Sequence, residues 1–198
     1  MFEKYSLFYS YKVIGDVLLV VFNEKAMPTS FIQKSDITVI YHNSEIIGYN
    51  IFNISKIVKI KTKGLIYYPS DVFIDIINSI LRNQQLDILA HYSHSGYVIG
   101  QVVKLEKDDM QLRPHIDVGG KILLGQSVAH INEGDKVVAA LIGARLHDGQ
   151  EVEEKSVPAQ IHICSNRELN ISIDDEIYLV DEDGVVGDDF FKIGECKK

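Results

Sequence analysis

Short runs of apolar residues, broken by turn residues, open the chain. The run DVLLVVF at 16–22 is apolar and β-branched between Gly15 and Asn23, and ITVIY at 37–41 is a second run of the same kind. His42, Asn43 and Ser44 are the turn residues of a hairpin returning into EIIGY at 45–49. IVKIK at 57–61 alternates more loosely and ends at Lys63 and Gly64, which predicts a further strand. The period then changes. Ser70 and Asp71 form an N-cap signature, and Val72, Phe73, Ile76, Ile77, Ile80 and Leu81 fall at helical spacing until the polar run RNQQ at 82–85. Residues 1–89 are therefore expected to form an α+β domain, several strands followed by one amphipathic helix.

The run HYSHSG at 91–96 is small, polar and turn-rich, and it reads as a linker. Beyond it the strand signals come close together, at 97–103, 116–118, 121–124, 136–142, 157–163 and 177–180. Gly119 and Gly120, Gly134, and Asp148 with Gly149 punctuate them. Short strands without long helices between them predict a small barrel or sandwich over residues 90–198 rather than a βαβ fold.

Composition sharpens this division. The chain has 198 residues, 46% hydrophobic and 24% charged, as expected of a globular protein with room for two small cores. Its net charge of −8 argues against a protein that wraps bulk duplex, since neutralising phosphates takes a surplus of Lys and Arg. The charge is uneven: the first 89 residues are close to neutral, and the excess of acid lies in the second half, much of it after Ile173. Cys164 and Cys196 make neither a disulfide framework nor a CxxC pair, so a reducing cytoplasm is the simplest expectation. The opening residues lack a secretory signal and no window approaches ~18 uncharged apolar residues, so no membrane partner is expected.

Catalytic patterns are weak. GQSVA at 125–129 has the glycine and serine of a nucleophile elbow, but no helix follows it and no ordered Asp and His partners accompany it. His91 and His94 supply two ligands where zinc takes about three or four. Neither GxGxxG nor GxxxxGK[ST] occurs. The expectation is a protein that is not an enzyme, with no metal and no cofactor.

The order of motifs in the second half is distinctive: VIGQV at 98–102, INEGDKVVAALIGARLHDG at 131–149, then ICSNREL at 163–169. It resembles the OB-fold tRNA-binding domain attached to some aminoacyl-tRNA synthetases and also found in free-standing proteins. The segments FYS at 8–10, IGDV at 14–17 and GYNIFN at 48–53 are similar to the N-terminal domain of YtpR-type bacterial tRNA-binding proteins, so the resemblance spans nearly the whole chain. It implies a five-stranded Greek-key barrel as C-terminal domain and a non-catalytic function, the binding of tRNA or similarly structured RNA. Free-standing relatives are often dimeric, so a homodimer is compatible with it. Two segments depart from the family pattern. KLEKDDMQL at 104–112 stands where relatives carry an HPxADKL stretch, and LLGQSVA at 123–129 replaces a CGAPN-type turn.

On this reading the RNA-binding candidates are Lys104, Arg113, Lys121, Arg145, Ser165, Asn166, Arg167 and Glu168, with Lys107 beside them. Lys and Arg would track phosphates, and Ser165 and Asn166 would hydrogen-bond phosphates or base edges. Each has a plainer role: the basic residues lie near Asp108, Asp109, Asp148 or Glu168 as solvated charge, and Ser165 and Asn166 can cap a turn. Cys164 is expected to be a core residue rather than a reactive thiol. The altered segments and the acidic tail favour an alternative of another class, a protein-interaction or self-association module whose OB domain has lost most of its RNA affinity.

Overall fold

The structure, a computed structural model, describes residues 1, 4–108, 111–126, 130–153 and 159–192. The chain divides into two compact units, Met1–Ser93 and His94–Lys198.

In the first unit six strands form one antiparallel sheet: β1 (Ser6–Tyr9), β2 (Val17–Val21), β3 (Ser30–Lys34), β4 (Ile37–His42), β5 (Glu45–Phe52) and β6 (Gly64–Leu65), in the order β3-β4-β5-β2-β1-β6. A single turn of helix, α1 (Tyr11–Ile14), joins β1 to β2. Period-two alternation puts two rows of side chains on one face. Leu7, Val20, Tyr49 and Val39 lie in register across four strands, and Tyr9, Leu18, Ile51 and Ile37 form the next row. All eight are buried, each contributing about 1.5–3 kcal/mol on leaving water. The helix α2 (Asp71–Asn83) adds Ile74, Ile77 and Leu81 to the same core. It starts where Ser70 Oγ accepts the Phe73 N–H at 3.3 Å. Asn78, buried on the same stripe, clamps the backbone of Leu89: its amide nitrogen donates to the carbonyl and its oxygen accepts the N–H, both at 2.8 Å.

The second unit is a five-stranded curled sheet of β7 (Tyr97–Asp108), β8 (Gln111–Asp117), β9 (Ile122–Leu124), β10 (Lys136–Leu141) and β11 (Ile161–Ile163), ordered β11-β10-β7-β8-β9. Its concave side holds Val102, Ile116, Val137, Ala139, Ile161 and Ile163. A bulge at Val103 shifts the register between Val102 and Lys104, so Leu105 turns toward this core while Lys104 and Glu106 face out. The bulge is held from outside the ladder, where Glu133 Oε1 accepts the Leu105 N–H at 2.8 Å.

These observations correct the expected fold class on both sides of the division. The N-terminal unit is not α+β, because β1, β3 and β6 join the strands read from the sequence and the sheet dominates; of the described residues, 38% are strand and 13% helix. The C-terminal sheet is a half-barrel, compatible with an OB-like fold, and not a closed five-stranded barrel. Its edge strands β9 and β11 are three residues each, and among the described residues they meet at the parallel bridge between Gly125 and Ile161 and where the Gln160 N–H donates to the Leu124 carbonyl at 2.7 Å. Side-chain amides extend this short contact: Gln160 Oε1 accepts the Leu124 N–H at 3.2 Å, and Gln126 pairs with the backbone of Ile163.

Single elements differ too. Residues 57–61 form no strand, although Val58 and Ile60 pack on the core. The departing segment 104–112 lies in the ends of β7 and β8 that pair with each other, with residues 109 and 110 outside the described ones. Of the expected strand at 157–163, residues 157 and 158 lie outside the described residues, as do Ser127 of the elbow-like segment and Cys196.

Candidate nucleic-acid interface

Antiparallel pairing sets Lys104 opposite His115 and Glu106 opposite Arg113, all on the outer face of β7 and β8. The Nε2–H of His115 donates to Glu106 at 2.9 Å, and the Lys104 ammonium lies 3.8 Å from the other carboxylate oxygen. Those two neighbours, His115 first, hold the Glu106 carboxyl below its usual range, so it stays ionised. The same face continues onto β9 through the Asp117–Ile122 and His115–Leu124 pairs. Asp117 serves the turn, its Oδ1 accepting the N–H groups of Gly119 and Gly120 at 3.0 Å each. Lys121 follows that turn, exposed.

A second group of candidates sits together after β11, and its polar atoms are turned inward. Glu168 Oε1 accepts from His162 Nε2 at 2.7 Å, while Oε2 accepts the Ser165 N–H at 2.8 Å and its hydroxyl at 3.0 Å. Burial raises the Glu168 carboxyl, but these donors outweigh it and hold it at about 2. His162 Nδ1 faces the Gln126 amide nitrogen at 3.2 Å, so the neutral ring carrying its proton on Nε2 satisfies both neighbours. Asn166 donates to Asp174 at 2.7 Å. Arg167 donates twice to the Ile173 carbonyl, at 3.0 and 2.6 Å, and lies 3.1 Å from Asp175. Arg145 reaches the Gly149 carbonyl at 3.3 Å and Glu151 at 3.9 Å, with only 18% of its side chain exposed.

The acidic segment that the sequence presents as a tail is built into this unit. Bridges tie Ile177 to Ser165, Leu179 to Val137 and Asp189 to Val98. Lys136 Nζ donates to the carbonyls of Glu182 and Gly184, and Phe191 stacks edge-on against Tyr97 with centroids 5.1 Å apart.

The structure therefore brings Lys104 and Arg113 together on one open face, with His115 and Glu106, which the sequence reading missed. Alternation of LRPHID along β8 is the signal that places Arg113 and His115 on one side. Ser165, Asn166, Arg167 and Glu168 gather in one turn, yet serve it internally; Arg145 and Lys121 stand in other turns. Cys164 is fully buried, and burial pushes its thiol up, which makes it inert. Among the described residues no group of three or more His, Cys, Asp or Glu is arranged to hold a metal, and no helix is long and apolar enough to cross a membrane.

Residues 24–89 match a family described as a domain of unknown function, DUF4479; the match lies within the first unit. No curated protein matches the chain.

Proposed function

We propose that the chain is a non-catalytic binder of tRNA-like structured RNA, which it takes on the outer face of β7 and β8. The observation that carries this reading is the pairing of Lys104, Arg113 and His115 as cross-strand neighbours on one open sheet face. Neighbours at such spacing address successive phosphates of a strand laid across the sheet, and structured RNA is recognised by shape and backbone contacts without dense charge elsewhere. Glu106 in their midst offsets part of the positive charge and sets a moderate affinity.

The test is a titration with bulk tRNA across a salt series. Affinity falls as salt rises, and Arg113→Ala lowers the logarithmic salt slope by about 1. Arg167→Ala leaves binding unchanged, because that guanidinium is already occupied by Ile173 and Asp175. Absence of binding at ~50 mM salt, where the electrostatic attraction is strong, overturns the reading.

A second reading is self-association, favoured by the edge strand β3, where Phe31 is 75% and Ile32 51% exposed. Two copies pairing antiparallel about Ile32 set each Lys34 against Ser30, with no like charges opposed. This reading predicts a sedimenting dimer that RNA does not alter and that Ile32→Lys dissociates.

A further inference from the structure

The densest run of positive charge in the chain lies in the other unit, on a segment that the sheet leaves unpaired. Residues 55–64, SKIVKIKTKG, carry Lys56, Lys59, Lys61 and Lys63 and no acid. Val58 and Ile60 pack onto the core, which turns Lys59 and Lys61 outward, and Lys56, Lys59 and Lys61 are all exposed. Both ends of the segment are pinned to residues 9–16. At one end Asp16 accepts the Ser55 N–H at 3.0 Å and the Ser55 hydroxyl at 2.7 Å. At the other end Gly64 pairs with Tyr9 in the β1–β6 ladder. The two stretches thus run side by side, and α1 lies on the neighbouring stretch with Tyr11 63% exposed and Lys12 exposed.

Together they make a basic strip with an uncovered aromatic ring at its side. Asp16 is the one acid in the two stretches; it holds Ser55 and Tyr9 and, ionised, offsets part of the charge of Lys56, which leaves Lys59, Lys61 and Lys12 to carry the strip. Asp36, which holds Asn53 at 3.2 Å, lies at the rim. Lys59 and Lys61 flank the anchored Ile60 and Lys56 ends the turn Ile54–Lys56 just before them, so their ammonium groups line one exposed stretch of backbone, and a ring beside such a row is a platform on which a base stacks. From this we infer that the first unit carries a second RNA site, in which Lys56, Lys59, Lys61 and Lys12 hold the phosphate backbone and Tyr11 stacks on an unpaired base. The inference rests on the RNA reading above, and assigns to the first unit a share of the phosphate contacts.

Full-length protein is titrated with bulk tRNA over a salt series in four forms: wild type, the triple variant Lys56→Gln, Lys59→Gln and Lys61→Gln, the same three positions changed to Arg, and the double variant Lys104→Gln with Arg113→Gln. The triple Gln variant is expected to lower the logarithmic salt slope by about 2 to 3, and the triple Arg variant to keep the wild-type slope. Tyr11→Ala is expected to weaken binding by about tenfold with the slope unchanged. A triple Gln variant with the wild-type slope, beside a weakened Lys104 and Arg113 variant, overturns the inference and leaves the β7–β8 reading standing. The reverse pattern sustains the inference and overturns that reading, and a wild type that binds no tRNA at ~50 mM salt overturns both. Vesicles of phosphatidylcholine and phosphatidylserine in equal parts form the last arm. If the triple Gln change abolishes vesicle binding and spares tRNA binding, the strip serves an anionic membrane surface and the inference falls.

Discussion

The side-chain amide of Gln126 meets both backbone groups of Ile163, accepting the N–H at 2.8 Å and donating to the carbonyl at 2.9 Å. It completes the ladder that β9 is too short to supply. Asn78 does the same for Leu89 in the first unit. In each case one side chain satisfies a donor and an acceptor belonging to a buried residue, so truncation orphans two groups at once. Gln126→Ala and Asn78→Ala are each expected to cost about 2–4 kcal/mol, since one unsatisfied buried group costs about 1–3 kcal/mol. Urea denaturation measures this, and a loss under ~1 kcal/mol for either would show that water replaces the amide.

The turn after β11 also sets an acid limit. Glu168 titrates at about 2 in the folded chain against an ordinary 4.5, so folding favours its charged form. Its contribution is complete above the unfolded value and is lost as pH falls from 4.5 toward 2. Asp16 and Asp174 are also held low and share part of that window, so the difference between two proteins is the readout. Wild type is expected to lose more stability than Glu168→Gln between pH 5 and pH 2. Parallel acid limbs in the two would remove Glu168 as their source.

The helix α2 shows how far periodicity reaches. Its cap and its extent follow from Ser70 and from the spacing of apolar residues, and replacing Ser70 by Ala should cost about 1 kcal/mol in the same urea measurement. Ser70→Asp should retain most of the stability, which separates loss of the cap from loss of the serine itself. The buried stripe is nevertheless Ile74, Ile77, Asn78 and Leu81, while Val72, read as part of the apolar face, is 70% exposed. A polar residue at the middle of the stripe hid it, because Asn78 is there for Leu89 and not for the hydrophobic contact.

Elsewhere the alternation reported which side of a segment is buried without reporting what it pairs with. Val58 and Ile60 point to the core as their spacing predicts, yet no ladder forms. The strands β3 and β6 escape notice because one is an edge with exposed apolar residues and the other has two residues. At the candidate interface Lys104 and Arg113 are visible as basic residues, but their meeting on one face depends on the bulge at Val103 and the long hairpin. The occupation of Asn166 and Arg167 by residues 173–175 depends on a chain reversal that composition does not encode, so two attractive candidates became structural.

That reversal ends in the docking of the last described segment, which rests on two glycines. Gly119 and Gly187 have φ of +93° and +94°, and a Cβ on Gly119 would stand 2.7 Å from the Cα of Gly187. The approach lets the Gly187 N–H reach the Ile99 carbonyl at 2.8 Å and Ile99 return a bond to Asp188 at 2.9 Å. Gly120 is the internal control, since its φ is +89° but a Cβ there meets nothing within 4 Å. Gly120→Ala should therefore cost only the backbone strain, about 1–3 kcal/mol, and Gly119→Ala should add about 1–3 kcal/mol of overlap. Amide hydrogen exchange at Ile99 and Gly187 reads the effect locally. Faster exchange in Gly119→Ala than in Gly120→Ala is the expected result, and equal protection in both would mean that the acidic segment is held by its other contacts, those of Tyr97, Lys136 and Asp189 among them, and not by the glycine approach.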